Sequence, residues 1–183
     1  MSRIKKWKLI NSQLVLNNQW CQVKQDTVQL PNGQIVDDYF VNLRPEIALV
    51  FPLTPDNQIV FVRQYRHGVQ EILLELPAGS FNAQQEDSLM AARRELEEET
   101  GYVSEQFIQL ATLYDNPVKD NNKIHLYLAL NASPLGKQHL DLTEDIELVL
   151  VPMTRVKYMI QCGEICVCGS VAAIYLALDF LKS

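Results

Sequence analysis

The sequence predicts an α/β protein with an antiparallel β subdomain at its N-terminus. Three observations predict it: short alternating apolar stretches up to about Leu43, two near-continuous apolar runs at Ile47–Phe51 and Ile59–Val62, and a dense block of strong helix formers from Asp87 to Thr100. Alternation marks half-buried strands, continuous runs mark strands buried on both faces, and helix formers between a cap and a stop mark a helix.

In the N-terminal segment, Gln13-Leu14-Val15-Leu16 and Asp26-Thr27-Val28-Gln29-Leu30 read as strands. Pro31-Asn32-Gly33 joins the second to Ile35-Val36, and its Asn-Gly supplies the positive φ angles of a tight hairpin. The turn Thr54-Pro55-Asp56-Asn57 separates the two apolar runs, and Arg63-Gln64-Tyr65-Arg66 follows the second. Asp87 is placed as N-cap of the helix and Gly101 as its stop, with Leu89, Ala92 and Leu96 forming an apolar stripe. Strands follow at Ile108–Leu113, Lys123–Leu130 and Glu147–Val151, the last ended by Pro152. Val156–Gln161 reads as a short helix, and Ser170 as the cap of a final helix from Val171 to Leu181. This divides the chain into a β subdomain, 1–43, and a main domain, 44–183.

A chain of 183 residues with 48% hydrophobic and 21% charged residues buries a full core and is water-soluble. Its net charge of −6 repels phosphate backbones and anionic lipid, which argues against nucleic-acid and membrane partners. No apolar run follows the basic N-terminal residues, so the expected location is the cytoplasm. Ile165–Leu181 is too short to span a bilayer and reads as a buried terminal helix. Cys162, Cys166 and Cys168 lack paired zinc-ligand spacing and read, with Cys21, as reduced, half-buried thiols.

At about 100° per residue, Glu95, Glu98 and Glu99 share one side of the predicted helix while Glu97 points away. Like charges at this spacing cost about 0.2–0.5 kcal/mol per pair. Two readings remain open from the residues alone. Arg94 with Glu98 and Arg93 with Glu97 can make a merely salt-bridged, solvated helix, or the carboxylates hold a hard divalent cation whose shell substrate phosphates and water complete.

The frame around the helix runs Pro77-Ala78-Gly79, then Glu86, then Arg94-Glu95-Leu96-Glu97-Glu98-Glu99-Thr100-Gly101-Tyr102. It resembles the Nudix box: Glu86 precedes Arg94 by seven intervening residues, and every later position matches with Tyr102 as the apolar one. Gly79 stands six residues before Glu86 where the signature has five, so the loop into the helix is one residue longer. Val62-Arg63-Gln64-Tyr65-Arg66 and Leu74-Glu75-Leu76-Pro77-Ala78-Gly79 further resemble the Nudix branch that contains ADP-ribose pyrophosphatases.

The resemblance implies an α/β/α sandwich with a mixed sheet, and a homodimer in which the N-terminal subdomain helps complete the substrate site. It implies magnesium, or manganese, and hydrolysis of the pyrophosphate of a nucleoside diphosphate joined to another group, ADP-ribose above all, giving AMP and ribose 5-phosphate. Metal ligands by the match are Glu95, Glu98, Glu99 and the Ala78 carbonyl. Glu86 and Arg94 hold each other, Gly79 and Gly101 shape the backbone, and Arg63 and Arg66 contact substrate. The water-activating carboxylate in this branch lies in a later loop; here Glu144, within Asp141-Leu142-Thr143-Glu144-Asp145, is the nearest, either as base or as an extra metal ligand. The alternative is a nucleotide-sensing module that keeps the fold without turnover.

Overall fold

The Pro31-Asn32-Gly33 turn and its flanking strands fold as an antiparallel meander. In the computed structural model, which describes residues 4–182, β1 (Lys8–Asn17), β2 (Gln22–Gln29) and β3 (Ile35–Leu43) form a sheet in that order. Among the turn residues only Gly33 has a positive φ, +90°, so the connection is a three-residue loop closed by Leu30 N–H on the Gln34 carbonyl, not a two-residue turn with both centres left-handed. The segment Tyr114–Asn122 belongs to this unit, with the Tyr39 hydroxyl donating to the Val118 carbonyl at 2.7 Å and Arg44 pairing with Asp120 at 3.2 Å. Every β1 residue is exposed, Leu9, Ile10, Leu14, Val15 and Leu16 included.

The second unit, Glu46–Leu113 with the residues from Lys123 onward, is built on a mixed sheet. Its strands are β4 (Glu46–Leu53), β5 (Gln58–Arg66), β6 (Glu71–Glu75), β7 (Ala78–Phe81), β8 (Gln106–Tyr114), β9 (Lys123–Leu130) and β10 (Ile146–Pro152). The main path runs β10-β5-β4-β9-β8, β4 and β9 being parallel; β6 pairs with β5 and β7 with β4. Helix α1 (Ser88–Thr100) covers one face through Ala91, Ala92 and Leu96 against Ala48, Val50 and Tyr127. Helices α2 (Val156–Gln161) and α3 (Cys168–Phe180) cover the other, where Phe51, Phe61, Leu126 and Leu128 meet Val156, Met159, Ala173, Ile174 and Ala177. This is the expected α/β/α layering, and both apolar runs are buried because each lies between two helical layers.

Three local expectations are corrected. Leu89 is exposed; the buried stripe of α1 is instead Ala91, Ala92, Glu95, Leu96, Glu99 and Thr100. Ser170 is no cap, since α3 begins at Cys168, and its buried hydroxyl instead accepts the Leu76 N–H at 2.9 Å. The four cysteines are free but exposed, not half-buried. No helix among the described residues is long and apolar enough to cross a membrane.

Candidate active site

Helix α1 is fixed at both ends by its own sequence. Asp87 accepts the Leu89 and Met90 N–H groups, each at 2.9 Å, and Gly101 adopts the left-handed φ of +69° that ends the helix. Between them the helix presents Glu95, Glu98 and Glu99 toward β7. There the Ala78 N–H donates to Glu99 Oε2 at 2.9 Å, and Gly79 lies against the Glu95 carboxyl.

The last carbonyls of a helix need partners from outside it. The segment after β9 supplies them: His139 N–H donates to the Glu98 carbonyl at 2.8 Å, Gln138 Nε2 to that of Glu99 at 2.8 Å, and Gly136 N–H to that of Gly101 at 3.0 Å. Chain that caps the helix thereby brings Leu140, Asp141 and Glu144 over the carboxylates. Together with Gly79, Ser80, Arg94, Glu95, Glu98 and Glu99 they line a cavity of about 640 Å³. Glu144 also closes its own turn, accepting the Asp141 N–H at 2.9 Å.

The cavity is electrostatically unfavourable to its own carboxylates. Burial pushes the Glu99 carboxyl up to about 8, against the Ala78 N–H that lowers it, with Glu95 and Glu144 adding repulsion. Burial likewise raises Glu95, with the attraction of Arg94 opposing it. Arg94 is held firmly charged, first by Glu86 at 3.1 Å and then by Glu98 at 2.8 Å and Glu95 at 2.6 Å. Glu99 forms no ion pair among the described residues. As the side chains stand, no three acidic, histidine or cysteine groups among the described residues enclose an ion. The donor set nevertheless fits a hard divalent cation, because carboxylates whose charge is costly in a buried site are stabilised by one.

The structure therefore gathers Ala78, Gly79, Glu95, Glu98, Glu99 and Glu144, and pairs Glu86 with Arg94. Glu97 points off the cavity and packs against Gly136. Arg93 does not reach Glu97; it lies 4.0 Å from Glu105 with its guanidinium over the Phe107 ring. Arg66 does not line the cavity either: it is clamped by Glu75 through two hydrogen bonds, of 2.8 and 3.0 Å, though the charges of Glu99 and Glu144 help hold it protonated. Arg63 is not brought to the cavity: strand alternation turns it to the opposite face of β5, where it pairs with Glu147 at 2.9 Å. Gln138, His139 and Leu140 were invisible to sequence reasoning, since nothing in Gly136–Leu140 marks it as the partner of a helix end.

A family model described as the NUDIX domain matches residues 43–161, and one described as the nucleoside diphosphate sugar hydrolase N-terminal domain matches residues 7–42. The chain belongs to the Nudix family. As a Nudix protein it is similar to the methanol dehydrogenase activator of Bacillus methanolicus, 34% identical over 81% of this chain and 80% of that one. It is also similar to an ADP-ribose pyrophosphatase of Bacillus subtilis, 28% identical over 86% of this chain and 85% of that one. The crystal structure of an ADP compounds hydrolase superposes with a TM-score of 0.87 at 22% identity, covering 100% of this chain and 97% of that one, which shows the shared fold. The protein is thus a Nudix pyrophosphohydrolase, of a family whose hydrolases generally use divalent metal ions.

Proposed function

We propose that the protein is a magnesium-dependent hydrolase of nucleoside diphosphates joined to another group, with ADP-ribose its leading substrate, cleaved to AMP and ribose 5-phosphate. One observation carries this reading: Glu99, buried in an acidic cavity, has a carboxyl pushed up to about 8 although the Ala78 N–H helps to hold its charge. Such a group is ionised near neutrality when a cation accompanies it. Glu95, Glu99 and the Ala78 carbonyl would hold the ion, with Glu98 joining through a second ion or a bound water; manganese fits the same oxygen donors. Bound there, the metal neutralises pyrophosphate charge and acidifies water.

The chain's own residues do the rest. Arg94 keeps Glu95 and Glu98 oriented while Glu86 holds Arg94. Arg66, at the margin of the acidic residues, binds a phosphate through its planar fork. Glu144 accepts the proton of the attacking water as the new P–O bond forms and the bridging P–O bond breaks, the leaving phosphate carrying the departing electron pair. The N-terminal subdomain, residues 1–43, serves dimerisation and completes the substrate site, and the reaction takes place in the cytoplasm. Purified protein with magnesium and a panel of ADP-ribose, GDP-mannose, diadenosine polyphosphates and nucleoside triphosphates tests this. AMP and ribose 5-phosphate from ADP-ribose are expected, and no product from any of them would overturn it.

A further inference from the structure

Gln64 carries a buried hydrogen-bond donor that no described residue accepts. It is 6% exposed, and its Nε2 has no partner among the described residues. Leaving such a group unpaired costs roughly the desolvation of an amide, so native proteins retain few of them without a function. Its surroundings explain the missing partner. In register Gln64 lies between Leu73 of β6 and Ile146 of β10, and neither side chain accepts a hydrogen bond. Alternation puts Val62, Gln64 and Arg66 on one face of β5. Glu75, opposite Val62, is then the diagonal neighbour of Gln64 on that face, within reach of a long side chain. Each Glu75 oxygen already accepts a hydrogen bond, one from Arg66 Nε at 2.8 Å and the other from an Arg66 terminal nitrogen at 3.0 Å. To reach Glu75, Arg66 folds back along the strand past the Gln64 position.

We propose that Gln64 is a positioning residue for Arg66: when the guanidinium leaves Glu75 for a substrate phosphate, the Gln64 amide takes its place on Glu75. The exchange keeps a buried carboxylate hydrogen-bonded throughout, so Arg66 is released without stranding a charge at 7% exposure. In the free protein the unpaired amide sits ready; in the bound one it is satisfied. The affinity for phosphate thus includes a hydrogen bond that never touches the ligand. This rests on the reading of Arg66 as a phosphate contact.

The test is calorimetry of the full chain, with magnesium, against the hydrolysis-resistant α,β-methylene analogue of ADP-ribose, together with steady-state kinetics. Gln64→Met keeps the side chain's length and removes the donor. It is expected to weaken analogue binding and raise KM roughly tenfold, the order of one hydrogen bond to a charged group, with kcat held. It should leave the melting temperature of the free protein unchanged or higher, whereas a merely structural glutamine would lower it. In an Arg66→Ala background Glu75 is free from the start. There Gln64→Met should cost no further affinity and should lower the melting temperature, a non-additivity that identifies the coupling. Wild-type affinity in Gln64→Met, or an equal loss with and without Arg66, overturns the proposal and leaves the hydrolase reading intact. A wild-type protein that does not bind the analogue overturns both.

Discussion

A β-carbon added to Gly79 would lie 2.0 Å from the carboxyl carbon of Glu95. Gly79 is therefore where the strand lets the acidic helix come close. Because the obstructed atoms are the far end of a flexible side chain, Gly79→Ala is expected to fold and to turn Glu95 out of the cavity. Turnover should fall by about two orders of magnitude, as for lost transition-state electrostatics, with a melting temperature close to wild type. An active Gly79→Ala enzyme would separate Glu95 from catalysis.

The shared carboxylate face predicts stabilisation by magnesium or manganese, since an ion bound only by the folded state raises the melting temperature by mass action. Glu98→Gln and Glu99→Gln should shrink that shift and lower kcat by roughly 10²-fold or more. Glu97→Gln, whose side chain packs on Gly136 outside the cavity, should change neither.

Stability without metal should depend on pH in a defined direction. The Glu99 carboxyl is raised by burial from the ordinary 4.5 to about 8, so between those values the folded chain binds a proton that the unfolded chain has lost. The folded state is then favoured at the acid end, and its stability falls as pH rises through that window. Denaturant midpoints in EDTA should decline across this range. Glu99→Gln should flatten the decline, and magnesium should offset it at the alkaline end by binding the ionised form.

Glu144 lines the cavity but is anchored to its own turn through the Asp141 N–H. Glu144→Gln should lower kcat by roughly 10²- to 10⁴-fold with KM little changed, the range of a positioned general base. Asp145→Asn, whose side chain does not line the cavity, should cost far less. Normal turnover by Glu144→Gln would remove the loop carboxylate from the mechanism.

The exposure of Leu9, Ile10, Leu14, Val15 and Leu16 on β1 predicts a homodimer, because an apolar edge strand is stabilised by being paired or covered. Sedimentation at micromolar concentration should give twice the chain mass, and Leu14→Lys with Leu16→Lys should shift it toward monomer. A wild-type monomer would remove the partner subunit from the proposed site.

Where local chemistry determined structure, the sequence could be read residue by residue. Asp87 and Gly101 bound α1 as expected because a capping carboxylate and a left-handed glycine act within a few residues. The central strands were legible because burial on both faces leaves continuous apolar runs. Strands β6 and β7 carry no such signal: five and four residues cannot establish an alternation, and they exist by pairing with β5 and β4. Leu89 fitted helical spacing equally well, but the sheet selected the two alanines, whose small side chains allow close approach. The carboxylate cluster was visible from spacing on one helix. Its cover was not, since Gly136 and His139 reach the helix end through backbone N–H groups that any sequence could supply, and nothing local aims the Gln138 amide at the Glu99 carbonyl.

The hydrogen bond from Leu76 to Ser170 links residues 94 positions apart and sits one residue before Pro77-Ala78-Gly79. On the ribosome the acidic helix would emerge long before α3, and the strand facing it would lack this anchor until α3 had been synthesised. Nascent and prematurely terminated chains would then hold the carboxylates without a settled platform beneath them. A cell would be spared an unfinished hydrolase, because activity would arrive together with α3.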